Sequence, residues 1–406
     1  MKILAINSVP YGSTAKIMIG IGKCCKSANS EIQYYTATGF STHPLKEMPE
    51  NNILIGGALS KFLHMLLSKI TGLNGCFSTI STYRFIKKIG LINPDCIHLH
   101  NIHGWFINIP MLFKYIKKND IPVVWTLHDS WAYTGQCPYF TMVECDKWKY
   151  GCYDCIQYNK CYPKAIVDVS KYMWRKKKEW FSRVNNLIIV TPSIWLSTMV
   201  KESFLKDYSS IVINNGIDLT KFKPTRSLIR EQIGVKITQK MILGVSLDWT
   251  VYKGLDVFEK LSNELNEEEY KIVLVGCSDE VKKNLSSNIH VIKRTQNQEE
   301  LAALYTAADV FVNPTREEVL GMTNIEALAC GTPVVSFNTG GCSETYDDET
   351  GIAVERDNID KLINAIKMTC KVNDIEEKCV ERASYFNEDD KYQEYVKLYK
   401  SIKRDR

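Results

Sequence analysis

DVFVNPTREEVLGMTNIEALACGTPVVSFNTGGCSE, residues 309–344, contains two short apolar runs, DVFVNPT and PVVSFN, with a helix-length segment between them. Both runs are brief, β-branched and bounded by turn formers, which predicts buried strands. The intervening segment opens after Gly321 and stops at Gly331–Pro333, the usual punctuation of a short helix. Strand, helix, strand predicts a parallel pair joined by a crossover, and ligands of such sheets gather at the carboxyl ends of the strands. Glu318 in the loop and Glu326 inside the helix then share that edge, with Gly340–Gly341 closing the next strand. Gly321 lets the backbone approach a ligand closely. The amides of Met322, Thr323 and Asn324 open the helix, where phosphate and sugar oxygens are favoured. Glu318 can accept hydrogen bonds from sugar hydroxyls, and Glu326, about a turn further in, can take both hydroxyls of a ribose. The stretch reads as a shelf for a nucleotide sugar.

The same grammar extends in both directions. KILAINS, PDCIHLH, PVVWTLH and LIIVTPS are predicted strands in the first half, with helices such as KIMIGIGKCCKSA and IPMLFKYIKKN between them. It restarts with KMILGVSLD, YKIVLVGCS and NIHVIKR, spaced by LDVFEKLSNEL and QEELAALYTAA. VINNGIDLTKFKPTRS lies between the blocks and reads as a hinge. The expected fold class is therefore α/β: two doubly wound, Rossmann-like domains over 1–222 and 223–384, facing a central cleft. The remaining segment, 385–406, is helical in period and is expected to return and brace the first domain.

Bulk properties agree with that size. A chain of 406 residues exceeds one ordinary core, and 45% apolar with 24% charged residues is a globular composition. No apolar run reaches the roughly 18 residues of a membrane span, and MKILAINSVPYGS reads as a first strand rather than a leader. A cytoplasmic location is expected, with the 14 cysteines reduced. Residues 1–222 hold 26 Lys/Arg against 14 Asp/Glu (+12), and the remainder 25 against 32 (−7), which sum to the net +5. A basic half joined to an acidic half suits a polyanionic partner met by one domain only; solvated lysines give the same count. Nucleic acid shares the charge logic, but no recognition motif accompanies it.

Glu318–x7–Glu326 with GTPVV and GGCSE resembles the signature of the retaining family 4 glycosyltransferases, the glycosyl transferases group 1, of GT-B fold. TPSIWL (191–196), NNGID (214–218), KGL (253–255), EELAALYTAADVFVNPT (299–315) and RASYFNEDDKYQEYVKLY (382–399) extend the likeness over most of the chain. The resemblance implies transfer of a sugar from a nucleoside diphosphate to a glycan or lipid-linked acceptor, with retained configuration, in surface polysaccharide assembly. It gives Glu318 the donor sugar, Glu326 the ribose and Lys253 the diphosphate, whose departing charge the lysine would stabilise. It places Gly12, in VPYGSTAK, at a first loop near the substrates, and His128, in VVWTLHDSW, against the sugar, with Asp129 orienting the ring. An arginine is usual seven positions before the lysine; here that position is Ser246, which leaves the two-cation clamp incomplete. The sequence contains no Asp-x-Asp, so catalysis is expected to need no metal cofactor. Two other readings fit the same fold: a nucleotide-sugar epimerase or hydrolase, and a catalytically silent sugar-nucleotide-binding scaffold.

Three further clusters stand out. His98, His100 and His103 close one strand, as a metal site or as a plain lining. CPYFTMVECDKWKYGCYDCIQYNKC, 137–161, offers Cys137, Cys145, Cys152 and Cys155 as a structural zinc set, or as buried thiols. It also resembles the subgroup that builds colanic-acid-type and capsular polysaccharides. VSKYMWRKKKEWFSRV, 169–184, mixes cations with Trp174, Trp180 and Phe181, either to meet an anionic membrane or to pack its aromatics inward.

Overall fold

Both blocks are wholly parallel sheets, and in each the strand order reverses at a single place. The computed structural model describes residues 1–27, 31–43, 48–49 and 51–402, divided between two units: Met1–Asn214 with the C-terminal segment from Asp389, and Asn215–Glu388. The first unit contains β1 (Lys2–Asn7), β2 (Gln33–Gly39), β3 (Ile53–Ile55), β4 (Cys96–Leu99), β5 (Val123–Thr126), β6 (Leu187–Thr191) and β7 (Ser209–Val212). Their order is β3-β2-β1-β4-β5-β6-β7. The second contains β8 (Lys240–Val245), β9 (Tyr270–Val275), β10 (Ile289–Ile292), β11 (Val310–Asn313), β12 (Val334–Phe337) and β13 (Gly351–Val354), ordered β10-β9-β8-β11-β12-β13. Both are doubly wound, with the switch at β1/β4 and at β8/β11, and ligands of such sheets bind beyond the carboxyl ends there.

The central strands are buried on both faces. Every residue of β4, β5, β11 and β12 is buried, so an unbroken apolar run is what the sheet selects. β2, β3, β7 and β13 are additions to the predicted strands. QYYTATG in β2 mixes hydroxyls with aromatics, and β3 is three residues long, so neither carries a strong periodic signal.

The units divide at 214 rather than 222. Ile217 bridges Asn387, its amide donating to the Phe386 carbonyl (2.9 Å), and Phe222 stacks edge-on to Tyr305, so 215–222 belongs to the second core. The helix Glu388–Ser401 packs on the first unit. There Tyr399 Oη meets His98 Nδ1 at 2.6 Å, and Tyr395 Oη meets Thr126 Oγ1 at 3.2 Å. Among the described residues no helix is long and apolar enough to cross a membrane.

Candidate functional site

The loops after β8 and β11, on either side of the second unit's switch point, bring two of the expected site residues into contact. Lys253 Nζ lies 2.9 Å from Glu318 Oε2, and Glu318 Oε1 accepts the Val319 amide at 3.0 Å. Burial alone would pull the Lys253 ammonium down, but Glu318 outweighs it and the group is raised. Burial alone would push the Glu318 carboxyl up, but Lys253 and the amides of Val319 and Gly321 hold it below the usual range. Both groups are therefore charged over the whole neutral range.

Gly321, left-handed at φ 90°, turns the chain into the helix Met322–Ala329. Met322 and Thr323 are its first two residues, and their amides have no preceding carbonyl in the helix. Asn324 differs from the expectation. Its amide donates to the Gly321 carbonyl (3.0 Å), and its side chain joins Asn313 (2.7 Å) and Thr345 (3.1 Å) in a fully buried bracket. Asn324 therefore sets the helix start against β11 and offers no group to a ligand. Glu326 stands half-buried on the same helix, its Oε2 accepting from Tyr305 Oη at 3.0 Å. A side chain at Gly340 (φ 58°) would collide with the Glu318 carbonyl, so the double glycine lets two loops close around that residue.

Arg316 is the residue that sequence reasoning missed. Its buried guanidinium forks onto Asp256 (2.7 and 2.8 Å), donates from Nε to Asp357 (2.7 Å), and reaches the Val251 carbonyl (2.6 Å). The Arg316 amide also donates to the Tyr252 carbonyl (2.8 Å). These bonds tie the turn before Lys253 to the loop carrying Glu318, which fixes their pairing. An arginine beside two glutamates was the only local signal; its acids lie 60 and 41 positions away. With both carboxylates satisfied, Arg316 does not stand in for the absent arginine at Ser246. Ser246 donates to the Asp248 carbonyl (3.0 Å) and shapes its own turn.

In the first unit Gly12 opens the helix Gly12–Ser27 beyond β1, and His128 follows β5 at the same edge. His128 is not oriented by Asp129. Its Nε2 meets His100 Nδ1 at 3.0 Å with the rings stacked, whereas Asp129 Oδ2 pairs with His103 Nε2 at 2.9 Å. Burial, which Asp129 only partly offsets, pulls His128 down to about 4, so its imidazole is neutral near pH 7. His98 is a core group, its two nitrogens spent on Tyr399 and on Thr126 (2.8 Å).

The cysteine loop brings the four thiols of the expected zinc set near one another, with Cys145, Cys152 and Cys155 all acting electrostatically on Cys137. Among the described residues no three His, Cys, Asp or Glu side chains are placed to hold a metal ion, Cys137, Cys145, Cys152 and Cys155 included. Cys152 Sγ instead accepts the Gly135 amide at 3.0 Å. What holds the loop is an aromatic core of Tyr133, Phe140 and Trp148, with the carboxamide of Gln136 bonded to the carbonyls of Tyr158 and Pro163. Lys177 completes it. This buried ammonium donates to the carbonyls of Trp131 (2.7 Å) and Thr134 (3.1 Å), 3.4 Å above the Trp131 ring. Burial pulls it down to about 7. Trp174 and Phe181 point inward on the same helix and pack on its own unit, whereas Tyr172 is exposed and Trp180 half-buried.

Residues 232–371 match the family model described as glycosyl transferases group 1. A putative colanic acid biosynthesis glycosyl transferase, WcaC, of Escherichia coli (strain K12) is 25% identical over 369 residues, covering 89% of this chain and 84% of that one. Among solved structures, the sucrose-phosphate synthase tll1590 from Thermosynechococcus elongatus superposes with a TM-score of 0.70 at 18% identity over 98% of both chains. Anabaena Alr3699/HepE in complex with UDP-glucose does so at 0.62 and 15% identity, over 99% of this chain and 100% of that one. Residues 232–371 form a glycosyl transferases group 1 domain, and the chain that carries it is a glycosyltransferase of GT-B fold.

Proposed function

We propose that the protein transfers a sugar from a nucleoside diphosphate sugar to an acceptor in surface polysaccharide assembly at the cytoplasmic face of the membrane, a lipid-linked glycan being the acceptor class. The observation that carries this reading is the switch-point edge of the second unit. A paired ammonium and carboxylate, a left-handed glycine, a helix start and a second carboxylate follow one another within a single shelf. The complex of Alr3699/HepE with UDP-glucose and the WcaC likeness support donor and pathway class respectively.

Each group has work on such a donor. Glu326 takes the ribose hydroxyls, and the Met322 and Thr323 amides meet the diphosphate. Lys253 neutralises the charge that grows on the leaving phosphate as the glycosidic bond breaks, which is where electrostatic stabilisation acts most strongly. The diphosphate competes with Glu318 for that ammonium, which frees the carboxylate to hold the sugar hydroxyls. In this front-face scheme, which uses no enzyme nucleophile, the acceptor oxygen attacks from the face the phosphate leaves, and its proton passes to that phosphate. The anomeric configuration is retained. Transfer requires no metal ion in this scheme.

Incubating the protein with a panel of nucleotide sugars, with and without a lipid-linked acceptor, tests the reading. Acceptor-dependent release of nucleoside diphosphate supports it. Acceptor-independent isomerisation or hydrolysis at the same rate would favour an epimerase or hydrolase.

A further inference from the structure

The helix Ala58–Thr71 in the first unit is built inside out. Its buried residues are polar, His64 at 1% exposure and Ser68 at 3%, and His64 Nε2 and Ser68 Oγ have no hydrogen-bond partner among the described residues. Its apolar residues face water: Leu59 at 70%, Phe62 at 53%, with Leu63, Leu66 and Ile70 beside them. Positions 59, 62, 63, 66 and 70 form one stripe at helical spacing. A water-facing helix of a globular protein turns that stripe toward the core, and unpartnered buried polar groups carry a cost. This helix does the reverse.

Two neighbouring segments extend the stripe into a surface. The helix Thr79–Ile92 meets the first through Ser60 and Ser81 (3.0 Å) and exposes Ile80, Tyr83 and Leu91. At the other end the Ile166 amide donates to the Lys69 carbonyl (2.8 Å), which brings exposed Ile166 and Val167 alongside Ile70. An exposed apolar area of this extent marks an interaction surface.

Charge identifies the occupant. From Asn51 to Pro94 the chain has no Asp or Glu and five cations. Lys61 donates to the Phe40 carbonyl (3.0 Å), while Lys69, Arg84, Lys87 and Lys88 are exposed. Asp168, the acid next to Val167, is turned away onto the amides of Cys155 (2.7 Å) and Ser170 (2.9 Å). Tyr83 carries Lys87 Nζ 4.7 Å over its ring, an apolar body with a polar tip. An apolar stripe on a segment whose charged residues are all cations suits a sheet of acyl chains under negative headgroups.

We infer that the two-helix face of residues 58–92, with Ile166 and Val167, docks on an anionic lipid bilayer: the stripe enters the headgroup boundary while Lys69, Arg84, Lys87 and Lys88 meet the phosphates. This deepens the reading of a membrane-linked acceptor but does not need it. Vesicle binding requires no nucleotide sugar, so docking and transfer succeed or fail separately.

Flotation of the full-length protein with phosphatidylcholine vesicles, with and without one-third phosphatidylglycerol, is the test. The wild type floats with the anionic vesicles at least about tenfold more than with neutral ones, and less as salt rises. Phe62→Ser with Leu66→Ser, and separately Arg84→Glu with Lys88→Glu, each lower that binding by about tenfold or more. Both double variants keep the thermal midpoint, since all four side chains are exposed. Three results would overturn the inference: no flotation of the wild type, equal flotation of the variants, or a concentration-dependent dimer that Phe62→Ser with Leu66→Ser abolishes in the absence of lipid. The last would assign the face to a second copy of the chain.

Discussion

Lys253 and Glu318, 65 positions apart, meet at 2.9 Å across the switch point of the second sheet, and both are held charged by the contact. In the proposed scheme a diphosphate reopens the pair, because the ammonium gains a stronger anion and the carboxylate is released to the sugar. Lys253→Ala and Glu318→Gln should each lower kcat/KM by about 10²–10³-fold, the range for a lost transition-state donor. Because the two act as a unit, the double variant should lose little more than either single one. Steady-state kinetics on the best donor checks this.

The same pair gives a pH signature. A carboxyl depressed from its ordinary 4.5 contributes stability above that pH and loses it as pH falls through the lower folded value. Glu318→Gln should therefore destabilise the protein at pH 7, and the difference from wild type should shrink below pH 4.5. Thermal midpoints across that range measure it.

Histidines add a separate acid sensitivity. Burial pulls His64 down to about 4 and His98 to about 3. Between the ordinary 6.5 and those values the unfolded chain binds protons that the folded chain refuses, so stability falls as pH drops through that window. At pH 5 each group costs about 2 kcal/mol relative to pH 7. Urea unfolding at the two pH values should show the loss, and His98→Asn should remove about 2 kcal/mol of the difference.

Arg316 predicts a positioning defect. Arg316→Lys keeps a charge but loses the fork to Asp256 and the reach to Asp357, so stability should fall by about 2–4 kcal/mol. Turnover should fall with it, because the Val251 carbonyl loses the guanidinium that helps hold the turn presenting Lys253. Nucleotide affinity, which the proposed scheme assigns to Glu326 and the helix start, should change less. Calorimetry beside kinetics separates the two effects.

Chelation bears on both metal expectations. EDTA should leave transfer intact, which an activity assay after desalting reads directly. A coincident drop in thermal midpoint would return zinc to the cysteine loop.

The edge carrying Glu318, Gly321 and Glu326 was legible because strand-end loops follow local grammar: apolar run, turn, helix start. Lys253 was legible only through its resemblance, and Arg316 was not, because its meaning lies in acids supplied by distant turns. Asp129 was paired with the wrong histidine for a related reason. Neighbours in sequence at a strand end point to opposite faces, so His128 turns to His100 while Asp129 turns to His103. The helix Ala58–Thr71 shows the limit most clearly. Its apolar stripe has the period of any core helix, and only the packed structure shows which side faces water.

Titrating a panel of nucleoside diphosphate sugars into the wild type and into Glu326→Ala by calorimetry tests the central claim most directly. The account predicts that at least one donor binds the wild type and binds Glu326→Ala at least about tenfold more weakly, a loss of about 1.4 kcal/mol from the ribose contact. Equal affinity for both proteins, or no donor bound by a folded wild type, would contradict it.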